Sequence, residues 1–345
     1  MAARMITIDP NTIDHALVAD AADLLRAGEL VAIPTETVYG LGCNALDAGA
    51  VAAVFAAKGR PATDPLIVHV DDAAMVASVI DGAVPPVAEQ LIAAFWPGPL
   101  TMVLPKGPEV PDAVTSGGPT VGVRCPAHPV ARAIIRAAGV PVAAPSANRF
   151  GRISPTSAAH VDEELGDRIA MIVDAGRADH GLESTVVAIE HDHVVILREG
   201  AVTREALADH VEVREIESDA DRTAAPGHDV RHYSPHTPTI ANATPPADAP
   251  AGDVVYAGYT DRPPILPAGW RFEPLGHHAD LARVGHDLYD TLRRLDAVAP
   301  ALIVVELTGA DGIGRAIDDR LTRAASGIVT TTATALSDAV HATLR

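Results

Sequence analysis

Short apolar segments rich in β-branched residues alternate with longer amphipathic ones as far as about residue 200, and few architectures accept that pattern. The spacing predicts a helix over 12–27 closed by Gly28, a strand at Leu30–Ile33 and then a loop, PTETVYGLGCN. A helix over 47–58 precedes the strand PLIVHV at 65–70, and a helix through Leu91–Phe95 leads into the strand PLTMVLP. VGVRCP, a helix over 130–136, PVAAPSAN, AMIVDAG, STVVAI and VVILREG continue the alternation. Such a run specifies an α/β domain whose large sheet is at least partly parallel. Beyond it, DRTAAPGHDVRHYSPHTP and ATPPADAPAG are rich in Pro, Ala and Asp without periodicity, and read as a linker. A second, smaller α/β unit follows: the strand DVVYAGY, a helix over 279–297, the strand ALIVVEL and a helix after Gly314. The expected division is 10–212, a linker over 213–252, and 253–345.

A chain of 345 residues fits two domains better than one. Apolar residues make up 48% but aromatics only 3%, so the cores must be built from small aliphatic side chains. No apolar run is long enough for a transmembrane helix. The opening MAARMITIDPNT meets a charge and a proline too early for a signal peptide. Cys43 and Cys125 have no metal or redox spacing, which suits a reducing cytoplasm. The formal charge of −19 argues against broad electrostatic binding of nucleic acid. Lys58 and Lys106 are the only lysines, so arginine is the default cation and each lysine stands out.

There is no GxxxxGK[ST], HExxH, GxSxG or cysteine pair, so a phosphate-handling site must be assembled from scattered groups. AAKGRPATDPLIVHV sets Lys58 and Arg60 around a Gly turn before a buried strand, an arrangement that suits polyphosphate. A helix C-terminus with ordinary dipole-compensating cations gives the same spacing. His69, inside the strand, has the pattern of a satisfied core histidine. PTETVYGLGCNA and APSANRFGRISPTSAAH both follow strands, where ligands of α/β sheets sit, and SPTS at 154–157 also reads as a helix N-terminus. Arg124 lies inside the apolar strand TVGVRCP, and a half-buried arginine needs an anion: a carboxylate of the protein or one from a substrate. Ser184 and Arg198 mark the ends of two further strands. Polar and basic groups thus recur beside the strands of one domain, pointing to a groove for an anionic small molecule.

PTETVYGLG, KGRP followed by PLIVH, FWPGPLT, VGVRCP, APSAN, ESTVV and LREG occur in that order over about residues 10–210 and resemble the YrdC-type domain of threonylcarbamoyl-AMP synthases. PGHDVRHYSP followed by a small α/β domain resembles the two-domain form. The resemblance implies a YrdC-like twisted α/β sheet domain with a concave, positively lined groove, and a smaller Rossmann-like α/β domain after it. It implies synthesis of threonylcarbamoyl-AMP and pyrophosphate from L-threonine, bicarbonate and ATP, with Mg²⁺. The product would pass to a separate tRNA threonylcarbamoyl-transferase complex, without direct tRNA binding by this chain. By resemblance, Thr35, His69, Arg124 and Ser184 form the threonine site, Arg124 clamping its carboxylate. Lys58, Arg60, Thr120, Ser146, Asn148, Ser154 and Arg198 form the ATP site. Lys58 and Arg60 carry the catalytic charge, and Tyr233, beside Arg231 and His232, closes as a lid.

Two positions depart from the family pattern. Asp64 replaces the usual Asn, and a carboxylate there is repulsive to triphosphate unless it faces Mg²⁺ or an arginine. Ala144 stands where some relatives have a polar group. Two other functions fit parts of the chain: a carbamoyl-adenylate enzyme of hydrogenase maturation, which would bring cysteine pairs not found here, and an RNA-binding groove, which the net charge disfavours. TGADGIGRAI imitates a dinucleotide fingerprint but has Ile317 at the third glycine, and reads as a tight strand-to-helix turn. His228, His232 and His236 recur every four residues, but Pro235 and Pro238 forbid the helix that a metal site of that spacing needs.

Overall fold

A computed structural model describes residues 2–214, 232–242 and 249–344. The chain divides into one unit of Met1–Phe150 with Ser154–His228, and a second of Gly151–Ile153 with Asp229–Arg345.

In the first unit eleven strands form one sheet: β1 (Arg4–Thr7), β2 (Val31–Ile33), β3 (Gly40–Asn44), β4 (Ile67–His69), β5 (Leu100–Pro105), β6 (Thr120–Arg124), β7 (Val142–Ala143), β8 (Met171–Asp174), β9 (Thr185–Glu190), β10 (His193–Arg198) and β11 (Glu212–Arg214). Their order is β1-β8-β2-β3-β7-β4-β6-β5-β9-β10-β11. Parallel pairs such as β4 with β6 and β5 with β9 alternate with antiparallel ones, so the partly parallel sheet expected from the sequence is present. Helices α1 (His15–Arg26), α2 (Ala48–Lys58), α3 (Ala73–Val76), α4 (Pro86–Phe95), α5 (Pro129–Ala138), α6 (Ala158–Leu165) and α7 (Arg204–Ala208) connect them. Most of their starts follow side-chain capping: Asp14 and Asp47 accept from the first free N–H groups of α1 and α2. Ser157 caps α6, as the SPTS segment suggested. α2 ends at Gly59, whose φ of 63° lets the chain turn back and sets Lys58 and Arg60 on either side of the turn.

Because strand side chains alternate between faces, the sheet has two different sides. Val68, Met102, Val121, Val123, Val187 and Val194 belong to the main core on one side. On the other, α1 and α5 pack over Val31, Ile33, Val142 and Met171 at the β1–β7 end. Further along that second face Ile67, Val103, Val186, Val195 and Leu197 make a small separate cluster. The alternation places His69, Thr101, Thr120, Gly122 and Arg124 on this face as well, because His69 pairs with Val142 and Arg124 with His69.

The second unit has a five-stranded, all-parallel sheet of β12 (Thr239–Asn242), β13 (Val254–Tyr259), β14 (Trp270–Gly276), β15 (Leu302–Glu306) and β16 (Val329–Thr330), in the order β14-β13-β15-β12-β16. Helices α8 (Leu281–Ala297), α9 (Ile313–Ala324) and α10 (Ala333–Thr343) complete it. The unit is Rossmann-like in being open and parallel. Relative to the dinucleotide-binding order, however, its first and fourth strands have exchanged places. The TGADGIG turn between β15 and α9 is fixed internally: Asp318 accepts from the Thr308 and Gly309 N–H groups at 2.6 and 3.0 Å. That agrees with a structural turn.

Several segments differ from the sequence expectation. Gly40–Asn44, read as loop, is a strand, since β2 and β7 flank it and supply the burial its glycines do not signal. Thr239–Asn242, read as linker, is the fully buried strand β12. β14 and α10 carry too weak a pattern to have been marked. Most of the remaining linker, with Arg231 and His228, lies outside the described residues. Among the described residues no helix is long and apolar enough to cross a membrane.

Candidate active site

Arg124 is the hub. It closes β6 on the small-cluster face, and its guanidinium is 4% exposed. Its Nε donates to the Gly98 carbonyl at 3.3 Å and one terminal nitrogen to Thr37 Oγ1 at 2.9 Å. The other terminal nitrogen lies 2.6 Å from Glu36 Oε1. The anion that the strand pattern demanded is therefore, in this structure, the protein's own Glu36. Burial alone would raise the Glu36 carboxyl, but the Arg124 charge overrides it and holds the group below the usual carboxylate range. Thr35 is placed beside them, bonding to Thr37 Oγ1 at 2.8 Å and donating to the Val38 carbonyl at 2.6 Å. His69, paired with Arg124 across β4 and β6, is 3% exposed. Burial first, and the Arg124 charge second, push its pKa down to about 3, so it is neutral at physiological pH.

A second group gathers at Ser184. Its hydroxyl is 2.8 Å from Thr101 Oγ1, and Arg198 donates to the Ser184 carbonyl at 2.9 Å and to its hydroxyl at 3.2 Å. A register shift between Ile196 and Arg198 pairs Arg198 with Val186, a member of the small-cluster face; such bulges re-aim a side chain. Ser154 donates to Glu183 Oε1 at 2.7 Å, tying the SPTS segment to the same turn. Thr185 N–H bonds the Pro99 carbonyl, so Ser184 and the Gly98 carbonyl held by Arg124 come from touching segments.

The third group is cationic. Lys58 Nζ donates to the Ser146 carbonyl at 2.5 Å and to the Asn148 carbonyl, while Phe150 N–H returns to the Lys58 carbonyl. The APSAN loop is thus built around Lys58, and Ser146 bridges to Gly40 of β3. Burial, then the neighbouring Arg60 charge, lower the Lys58 pKa to about 7. Arg60 donates to the Asp64 and Pro65 carbonyls at 3.0 and 2.7 Å and pairs with Asp64 Oδ2 at 2.8 Å. Asp64 therefore faces an arginine, the arrangement that spares triphosphate its repulsion. Beside this pair Pro65, Thr115, Ser116, Thr120 and Gly122 line a cavity of about 300 Å³.

Over residues 23–200 the chain matches the Sua5, YciO and YrdC family, described as telomere recombination, and over 202–326 the threonylcarbamoyl-AMP synthase C-terminal domain. The chain belongs to the threonylcarbamoyl-AMP synthase family. It is 40% identical to the threonylcarbamoyl-AMP synthase of Bacillus subtilis, across 90% of this chain and 94% of that one. It is 38% identical to that of Pyrococcus abyssi, across 89% and 93%. The crystal structure of P. abyssi Sua5 complexed with L-threonine aligns with a TM-score of 0.82 at 33% identity, covering 95% of this chain and 99% of that one.

Within this synthase-family site, the residues expected around threonine and ATP split by environment. Thr35, His69, Arg124 and Ser184 cluster with Arg198 along the Gly98–Thr101 segment, whereas Lys58, Ser146 and Asn148 form one knot and Arg60 and Thr120 flank the cavity. Tyr233 belongs to the second unit. Its ring is 1% exposed, stacked on Tyr289 at 5.5 Å with the Arg320 guanidinium 5.2 Å from its centroid. Its φ of 58° is a strained value for a bulky residue. His232 packs edge-on against it, and His236 pairs with Asp296. Sequence reasoning did not assign Glu36, Thr37, Thr101 or Glu183. The signal for Glu36 was present: an arginine inside an apolar strand, and one carboxylate in a strand-end loop.

Among the described residues no group of three or more His, Cys, Asp or Glu is placed to hold a metal ion. The nearby carboxylates Glu36, Asp64 and Glu183 face Arg124, Arg60 and Ser154. This donor set does not fit a resident cation.

Proposed function

We propose that this chain makes threonylcarbamoyl-AMP and pyrophosphate from L-threonine, bicarbonate and magnesium–ATP, as a nucleotidyltransferase. The observation that carries the reading is the buried set Arg124, Ser184, Arg198, Lys58 and Arg60 in one sheet domain, in a chain whose close relatives bear that name. Membership alone leaves the site open; buried cations in register with strand-end hydroxyls supply the chemistry.

Arg124 receives the threonine carboxylate, and Thr35, His69 and Ser184 surround the rest of the amino acid. The threonine ammonium gives up a proton and bicarbonate takes one to lose water as CO₂. The free amine adds to that CO₂ with loss of a second proton to give N-carboxy-threonine, whose new carboxylate attacks the α-phosphate in line while pyrophosphate leaves. Lys58, Arg60 and Arg198 offset negative charge on the phosphates from a dry setting, where fixed charges act strongly. The cavity beside Thr120 has room for the nucleoside, with Ser146, Asn148 and Ser154 on the same nucleotide. Holding two small anions beside ATP is mostly a problem of orientation, which prearranged donors address. Tyr233 is the proposed lid residue. No covalent nucleophile is needed.

We place the reaction in the cytoplasm, in keeping with two free, buried thiols, and assign delivery of the product to a separate tRNA-modifying complex. Pyrophosphate release by the purified protein, with threonine or bicarbonate omitted in turn, tests the reading. Release should need both; release without threonine would move the assignment to a carbamoyl-adenylate enzyme or an ATPase.

A further inference from the structure

We infer that Glu36 binds the α-ammonium of the amino acid substrate, so that Glu36 and Arg124 together select a zwitterion rather than a simple carboxylate. The inference rests on the threonine reading of this site and adds a residue to it.

Glu36 is 1% exposed and its ion pair with Arg124 is end-on, through Oε1 alone. Neither carboxylate oxygen has a well-formed hydrogen bond, although the Ala127 N–H, like Arg124, helps to hold the group ionised. His69 Nδ1, on the strand beside Arg124, is likewise buried without a partner. Buried acceptors are seldom left in this state without a functional reason. Two under-satisfied buried groups on either side of Arg124, one a carboxylate and one a neutral imidazole, mark a place for a donor.

Charge balance says which donor. Arg124 and Glu36 cancel one another, so a substrate bearing only a carboxylate would leave the buried pocket with a net negative charge. A zwitterion restores neutrality, its carboxylate on Arg124 and its ammonium on Glu36 and His69. Unpaired buried charge is costly, so the pair discriminates against the deaminated analogue. Nearby hydroxyls of Thr35, Thr37 and Ser184 remain for the substrate hydroxyl.

Titration calorimetry with L-threonine and with (R)-3-hydroxybutyrate, which lacks only the amine, separates this from a role confined to holding Arg124. The wild-type protein should bind the hydroxy acid at least about tenfold more weakly than threonine, the ratio set by one lost charged contact. Glu36→Gln should weaken threonine by about tenfold or more while leaving the hydroxy acid no weaker, or tighter, because with Gln the pocket is neutral around a lone carboxylate. Equal binding of the two ligands by the wild type would overturn the inference even if the variant fails to fold. Equal weakening of both by Glu36→Gln would also overturn it, reducing Glu36 to a support for Arg124. Failure of the wild type to bind threonine at all would instead strike at the threonine reading itself.

Discussion

Lys58 shows how one buried side chain combines structure and charge. It holds the carbonyls of Ser146 and Asn148, and burial sets its pKa to about 7, so near pH 8 much of it is neutral. Phosphate arriving beside it favours the charged form and raises that pKa. Binding of magnesium–ATP at pH 8 should therefore take up a fraction of a proton, seen as a dependence of the calorimetric heat on buffer ionisation. Lys58→Met should abolish the uptake; an unchanged uptake would remove Lys58 from the nucleotide's surroundings. The residue scale is also where the sequence was most legible. Lys58, Arg60, Arg124 and Ser184 sit at a helix end, in loops and at strand ends whose polar character shows without a structure. Glu36 did not stand out because its partner is distant in sequence and only the fold brings them within 2.6 Å.

At the scale of elements, the strands were readable where β-branched residues run together and unreadable where neighbours supply the burial. PLIVHV and TVGVR are of the first kind; Gly40–Asn44 and Thr239–Asn242 are of the second, and their flanking glycines and prolines mimic loops. Glycines in these elements also set how closely segments approach. A Cβ on Gly200, just after β10, would stand 2.4 Å from the Thr185 nitrogen and 2.5 Å from the Glu183 carbonyl oxygen. Both are backbone atoms of the turn that carries Ser184. Gly200→Ala should therefore cost about 1–3 kcal/mol by overpacking and, by displacing Ser184, depress activity well beyond its effect on stability. Normal kinetics in a folded variant would show that the turn has slack. Gly122 is less tight but not open: a Cβ there would lie 3.3 Å from Thr101 Cγ2 and 3.5 Å from Ile67 Cγ1, side chains on the site face. Gly122→Val should raise KM for ATP and, by crowding Thr101 and Ile67, lower Tm as well; an unchanged KM in the folded variant would separate the cavity from the nucleotide.

For the whole molecule, the buried site costs stability that can be read by titration. His69 has its pKa lowered from 6.5 to about 3, so between those values the unfolded chain binds a proton that the folded chain refuses. Stability from this group is full above pH 6.5 and is lost as pH falls toward 3. Lys58 acts at the other end: the unfolded amine holds its proton up to about 10.5 and the folded one to about 7, so its penalty is full below 7 and fades as pH rises through that window. Denaturant melts across pH should show the acid slope, and His69→Gln should flatten it; an unaltered slope would mean His69 charges freely in the folded state. The division into two α/β units was legible from the loss of periodicity after residue 220, whereas the surroundings of Tyr233, packed on Tyr289 and Arg320, were not. Only tertiary packing brings those side chains together.

The most direct measurement of the central claim is mass spectrometry of the nucleotide product formed from ATP, L-threonine and heavy-carbon bicarbonate. The account requires a threonylcarbamoyl-AMP species that gains one mass unit from the labelled bicarbonate and disappears when threonine is left out. An adenylate that carries the label without threonine, or pyrophosphate release with no labelled adenylate at all, would contradict it.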